Sequence, residues 1–159
     1  MRILKEYRMM LNEKMWPYLA ENSDEGAFLK GEIHDAKNVV DIINKLFHAD
    51  TLPEEHMYML TMTNKGNPTG VFEIGHGTAT CCVVSTKSIY TRALLAGAAA
   101  IILIHCHPSG DPSPSPEDYG MTTKAVEAGK LLDVKVLDHI IIGRNGFYSM
   151  LQNGAKELQ

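Results

Sequence analysis

Little in this sequence departs from ordinary globular composition, and each shortage narrows the field. Its 159 residues include three cysteines, Cys81, Cys82 and Cys106. That odd number, in a chain long enough to build its own core, argues against a disulfide framework and for reduced thiols in a cytoplasmic setting. Long apolar runs are missing too. The longest, Ala93 to Ile104, falls well short of the roughly 20 residues a bilayer crossing takes. Arg2, Lys5, Glu6, Arg8, Glu13 and Lys14 interrupt any apolar core of a signal peptide. Excess positive charge is also lacking. The net charge of −4 and pI near 5.9 give no electrostatic footprint for nucleic acid or for an anionic membrane. Charged residues make up 21% and hydrophobic ones 45%, so no long segment reads as disordered and one domain with a real core is expected.

What is present reads as helices alternating with strands. Ile3, Tyr7, Leu11, Met15 and Tyr18 recur at helical spacing, which predicts an amphipathic helix over Met1 to Ala20, docked on the domain or on a second subunit as in a homodimer. Glu21 to Lys30 reads as a linker, so residues 1–34 form an N-terminal extension. Asp35 is placed to cap a helix with an apolar stripe of Val39, Val40, Ile43, Leu46 and Phe47. Met57 to Thr63 and Gly70 to Gly75 read as a strand hairpin around Asn64-Lys65-Gly66-Asn67-Pro68. On the second strand, Phe72 and Ile74 share one face while Val71 and Glu73 share the other. Ser85 caps a helix to about Ala96. Ala98 to His105 has the continuous apolar character of a strand buried on both faces. Ser115 caps a further helix with Pro116 at its first position. Val134 to Ile142 and Phe147 to Leu151 are strands, ending the domain near 154 before a short tail, 155–159. The class is α/β.

His105, His107, Ser115 and Asp118 carry the chemistry. Strand side chains alternate faces, so His105 and His107 project to one side and Cys106 to the other. A strand end facing a helix start is a common ligand site in α/β proteins. Two imidazoles and a carboxylate match catalytic zinc, which keeps a position for water. Ser115-x-x-Asp118 is equally a capping box, and the two uses compete for Asp118. A metal hydrolase also needs a general base, and Glu73, an acid within an apolar strand, is the candidate. Cys81-Cys82 and the methionines Met9, Met10, Met57, Met59 and Met62 read as core filling. Asp111 either orients a histidine or braces the proline-rich turn, and Asp138-His139 is a hydrogen-bonded pair near the site.

The segment from Ala99 to Ser115, with His105-Cys106-His107-Pro108-Ser109-Gly110-Asp111-Pro112 at its centre, resembles the signature of the RadC-like family in the JAB/MPN (JAMM) metalloprotease superfamily. Glu127-Ala128-Gly129-Lys130 and Leu137-Asp138-His139-Ile140-Ile141-Ile142-Gly143 resemble it as well. The resemblance covers roughly Asp35 to Gly154. It implies a cytidine-deaminase-like three-layer sandwich, a mixed β-sheet flanked by helices. It also implies Zn²⁺ on His105, His107 and Asp118, with Glu73 as general acid/base and Ser115 donating to an oxyanion. The implied reaction is amide or isopeptide hydrolysis of a peptide or protein substrate by metal-activated water. Cys106 stands where the family carries Asn. Longer relatives carry a helix-hairpin-helix region, for which Met1 to His34 is too short. The rival reading, a DNA repair or recombination accessory protein with a non-catalytic metal site, therefore finds no support in charge or in that region. A zinc nucleobase deaminase would need His-x-Glu and Pro-Cys-x-x-Cys, and neither occurs.

Overall fold

A computed structural model describes residues 2–22, 27–29 and 33–158. At its centre is a five-stranded mixed sheet in the order β6-β5-β7-β8-β9, built from β5 (His56–Met62), β6 (Pro68–His76), β7 (Ala100–Cys106), β8 (Lys135–Gly143) and β9 (Gly146–Ser149). Pairing is antiparallel except between β7 and β8, which are parallel and joined by helix α3 (Pro116–Leu132). Every residue of β7 is buried, as its unbroken apolar run requires of a central strand.

Alternation of side chains divides the sheet into two cores. Tyr58, Leu60, Met62, Val71, Ile102, Ile104 and Cys106 pack with helix α1 (Ala36–Phe47) on one face. Met57, Met59, Phe72, Ile74, Ile101 and Leu103 pack with α2 (Thr86–Leu95) and α3 on the other. The fold is thus a mixed α/β sandwich of the JAB/MPN type. Asp35, Ser85 and Ser115 each cap their helix through the side chain, accepting from the backbone N–H three residues on.

The N-terminal part departs from the expected helix. Arg2–Leu4 (β1), Tyr7–Leu11 (β2), Pro17–Glu21 (β3) and Ala27–Leu29 (β4) are strands, with β1 pairing β4 and β2 pairing β3. Two local features override the helical spacing. Asn12 Oδ1 accepts from the N–H groups of Lys14 and Trp16, a turn that competes with helix, and Met15 is left-handed with φ of 61°. Pro17 would also break a helix interior. Half of the expected linker lies outside the described residues, and within the rest Ala27–Leu29 is strand. The hairpin is tied to the sheet edge: Val71 N–H donates to Lys5 O at 3.0 Å, and Tyr7 stacks on Phe72 with ring centroids 5.7 Å apart. It thereby covers part of edge strand β6. Among the described residues no helix is long and apolar enough to cross a membrane.

Candidate metal centre

Register decides what reaches the C-terminal end of β7. His105 pairs with Met57 and shares the α3 face with it, whereas Cys106 pairs with His56 and lies on the α1 face. The chain beyond the strand is held in place. His107 N–H donates to Ile142 O at 2.8 Å, and Gly110, with φ of 86°, turns the backbone back across β8. Gly143 lies directly under that turn. A Cβ there would overlap the Gly110 carbonyl, so glycine is what allows the loop to sit on the strand end. Asp111 does both of the jobs foreseen for it. Its carbonyl oxygen is 3.0 Å from His107 Nδ1, and its carboxylate accepts from Ser113 N–H at 2.9 Å.

The structure brings His105, His107, Ser115 and Asp118 together around a cavity of about 340 Å³. Asp118, buried in the first turn of α3, divides its two oxygens. Oδ1 lies 2.7 Å from His105 Nδ1, and Oδ2 accepts from both the Ser115 N–H and its hydroxyl at 2.7 Å. His107 Nε2 is 3.5 Å from the same Oδ2. The capping box and the histidine contacts therefore coexist, where the sequence made them rivals. Burial alone would raise the Asp118 carboxyl, but bonds from His105, His107 and Ser115 together hold it well below the usual carboxylate range. The same carboxylate raises His107 above the ordinary imidazole value, against the opposing effect of burial. With Nδ1–H given to the Asp111 carbonyl, His107 keeps its Nε2 toward the cavity.

Glu73 is not part of this assembly. It lies on the α1 face opposite Tyr58, with its Oε1 2.6 Å from His56 Nδ1. The carboxylate that does reach the histidines is Glu55, whose Oε2 is 3.3 Å from His105 Nε2. Glu55 immediately precedes β5 and shares the parity of Met57, hence the α3 face. Its backbone is fixed by exchange with the 77–78 turn: Glu55 N–H donates to Thr78 O, and Gly77 N–H to Glu55 O, both at 2.8 Å. Of the two adjacent cysteines expected to fill the core, Cys82 is partly buried against the α2/α3 core and Cys81 is not. Cys81 is exposed and both line the cavity, because the Thr78–Cys81 turn folds them over it. Cys106 is buried away from it, and burial pushes its thiol up to about 12.

His139 is a second residue of this region that sequence reading did not place in the site. It pairs beside Leu103, and its ring lies 6.3 Å from that of His105. A ring nitrogen of His139, one of His105 and a carboxylate oxygen of Asp118 all fall within 4.8 Å of one another, so these three are candidate metal-binding residues. Thr122 Oγ1 donates to Asp118 O and lies 2.7 Å from His139 Nδ1, while His139 Nε2 is buried with no hydrogen-bond partner among the described residues. Complete burial pushes His139 down to about 3, so it is neutral at physiological pH. Its neighbour Asp138 turns to the other side and accepts from Ser149 Oγ and Leu151 N–H, bracing the end of the domain. Imidazole nitrogens, one depressed carboxylate and the orphaned buried lone pair of His139 are a donor set that fits a divalent ion taking N and O ligands.

Residues 33–155 match the family of the RadC-like JAB domain. The chain belongs to that family. It is 42% identical over 100 residues to a UPF0758 protein of Desulforudis audaxviator, covering 63% of this chain and 44% of that protein. A UPF0758 protein of Caldanaerobacter subterraneus is 36% identical over 126 residues, 79% of this chain and 54% of its own length. This RadC-like chain thus spans about half the length of the curated relatives it matches.

Proposed function

We propose that this RadC-like domain is a zinc-dependent hydrolase of peptide or isopeptide bonds, working in a reducing, cytoplasmic compartment. The convergence of His105, His107, Asp118 and Glu55 on one cavity carries the reading. His105, His107 and Asp118 hold the ion in this reading, with the buried His139, one ring nitrogen of which lies within 4.8 Å of donor atoms of His105 and Asp118, as a further imidazole beside them. Zn²⁺ in such a site supplies a Lewis acid for a carbonyl oxygen and lowers the pKa of water toward ~7. Glu55, rather than Glu73, takes the proton of the attacking water at its carboxylate and passes it to the departing amine. Ser115 turns its hydroxyl from Asp118 Oδ2 to donate to the oxyanion, while its N–H keeps the cap on Asp118. Thr80, Cys81 and Cys82 line the same cavity.

Cleavage of a peptide and isopeptide-linked substrate library by the zinc-loaded protein tests this. Glu55→Gln is expected to keep stoichiometric zinc and to lose about 10²–10⁴-fold in rate, the usual range for removing a general acid/base. Undiminished cleavage by Glu55→Gln would overturn the role of Glu55. Loss of cleavage in Glu73→Gln with zinc retained at the Asp118 centre would return the role to Glu73. Absence of stoichiometric divalent ion from the wild type at neutral pH would sink the hydrolase reading itself.

A further inference from the structure

The α1 face of the same sheet end carries a second set of metal-type side chains, which the proposed hydrolysis does not use. His56 and His76 are register partners on β5 and β6, with ring centroids 4.1 Å apart. Glu73 Oε1 is 2.6 Å from His56 Nδ1, and Glu54 Oε2 is 2.6 Å from His76 Nε2. One donor atom from each of His56, Glu73 and His76 lies within 4.8 Å of the others.

This grouping requires a distortion of the sheet. Residues 73 and 76 differ in parity and would point to opposite faces of a regular strand. The register shifts between Met57 and Tyr58, whose partners are Gly75 and Glu73, so Ile74 is an extra residue on β6. Ile74 packs in the α2/α3 core, and a Cβ on Gly75 would run into Val84 and Cys82 of that same side. Two successive residues thus face one way, as at a β-bulge, and the parity of the strand is reset. Bulges re-aim side chains. This one turns Glu73 and His76 onto His56.

We propose that His56, Glu73 and His76 form a second binding site for a divalent transition-metal ion, with Glu54 as a further carboxylate at its rim. Two imidazoles and a carboxylate on a two-stranded ribbon match the donor preferences of Zn²⁺. The site opens to solvent, since His76 and Glu73 side chains are 53% and 41% exposed, so exchange with free ion needs no opening of the fold. It is separate from the Asp118 centre, because the sheet lies between them.

Zn²⁺ titration of the EDTA-stripped full chain by calorimetry tests the site, on wild type, His76→Gln, Glu73→Gln and Asp118→Asn. The expected result is an equivalent of Zn²⁺ whose affinity falls at least tenfold in His76→Gln and in Glu73→Gln and is retained in Asp118→Asn. Both diagnostic positions are largely exposed, so these variants should fold. Circular dichroism checks this, and imidazole NMR signals of His56 and His76 shifting on Zn²⁺ addition give a readout on the wild type alone. Retention of every bound equivalent in His76→Gln, or unmoved His56 and His76 signals at saturating Zn²⁺, would show two surface His–Glu pairs and overturn the proposal. Both outcomes are independent of whether the Asp118 centre holds an ion.

Discussion

Glu55 and His56 are neighbours in the chain, yet they stand on opposite faces of the sheet among similar residue types. On the α3 face three of the groups have a second anchor: His107 on the Asp111 carbonyl, Asp118 on the Ser115 cap, His139 on Thr122. His105 and Asp118 are nearly inaccessible. On the α1 face the side-chain hydrogen bonds seen among the described residues run within the pairs His56–Glu73 and His76–Glu54, and three of the four side chains are substantially exposed. The difference lies in support rather than composition. Buried, cross-braced donors are held in place before a ligand arrives, whereas exposed ones must be ordered by it.

Asp118→Ala should separate the two faces most sharply. It removes the acceptor of His105, of the Ser115 N–H and hydroxyl, and one contact of His107 in a single step. Breaking a buried charged network of this kind costs about 3–5 kcal/mol, and metal binding at this centre should be lost. Urea unfolding of EDTA-treated protein measures the first effect. Its pH dependence has a definite sign. The folded Asp118 carboxyl is held below its ordinary value of 3.8. Its contribution is therefore complete above that pH and is lost as pH falls through and below it. The variant should lack that part of the acid slope. A wild-type slope that survives in Asp118→Ala would mean that other carboxylates carry it.

The loop carrying His107 offers a milder perturbation. Gly143→Ala places a methyl against the Gly110 carbonyl and the Pro112 nitrogen. Relief of such overpacking typically costs about 1–3 kcal/mol, and here the loop would lift from β8. Weaker zinc binding at the Asp118 centre is expected together with the lower unfolding midpoint. Zinc affinity equal to wild type would show that the loop tolerates displacement without moving His107.

The sequence made the helix caps, the buried strand β7 and the meeting of His105, His107 and Asp118 legible, because each depends on local signals or on alternation along one strand. The carboxylate that stands beside His105 was not legible, because that depends on which strand lies beside β7 and in which register. Glu73 lies on edge strand β6, one strand too far, and the bulge at Ile74 changes the parity between it and the strand's end. Glu55 carried a usable signal: it sits at the mouth of the strand His56–Met62 with the parity of Met57 and Met59. The N-terminal strands were hidden for another reason. Ile3, Tyr7, Leu11, Met15 and Tyr18 do recur at helical spacing, but Asn12, left-handed Met15 and Pro17 turn the chain into a hairpin that packs on Phe72. His139 was read through its neighbour Asp138, although consecutive strand residues face apart.

Cys106→Ala gives the smallest effect and tests whether the faces are independent. The thiol sits between the two histidines in sequence but packs with the α1 core, 1% exposed. Removing it from a buried apolar site should cost on the order of 1 kcal/mol, which for a domain of this size lowers the midpoint by about 2–4 °C. Zinc stoichiometry and cleavage should stay at wild-type levels, since His105 projects to the α3 face and Cys106 to the α1 face. A tenfold loss of zinc affinity in Cys106→Ala would show that packing on the α1 face sets the pitch of β7 and, through it, the aim of His105.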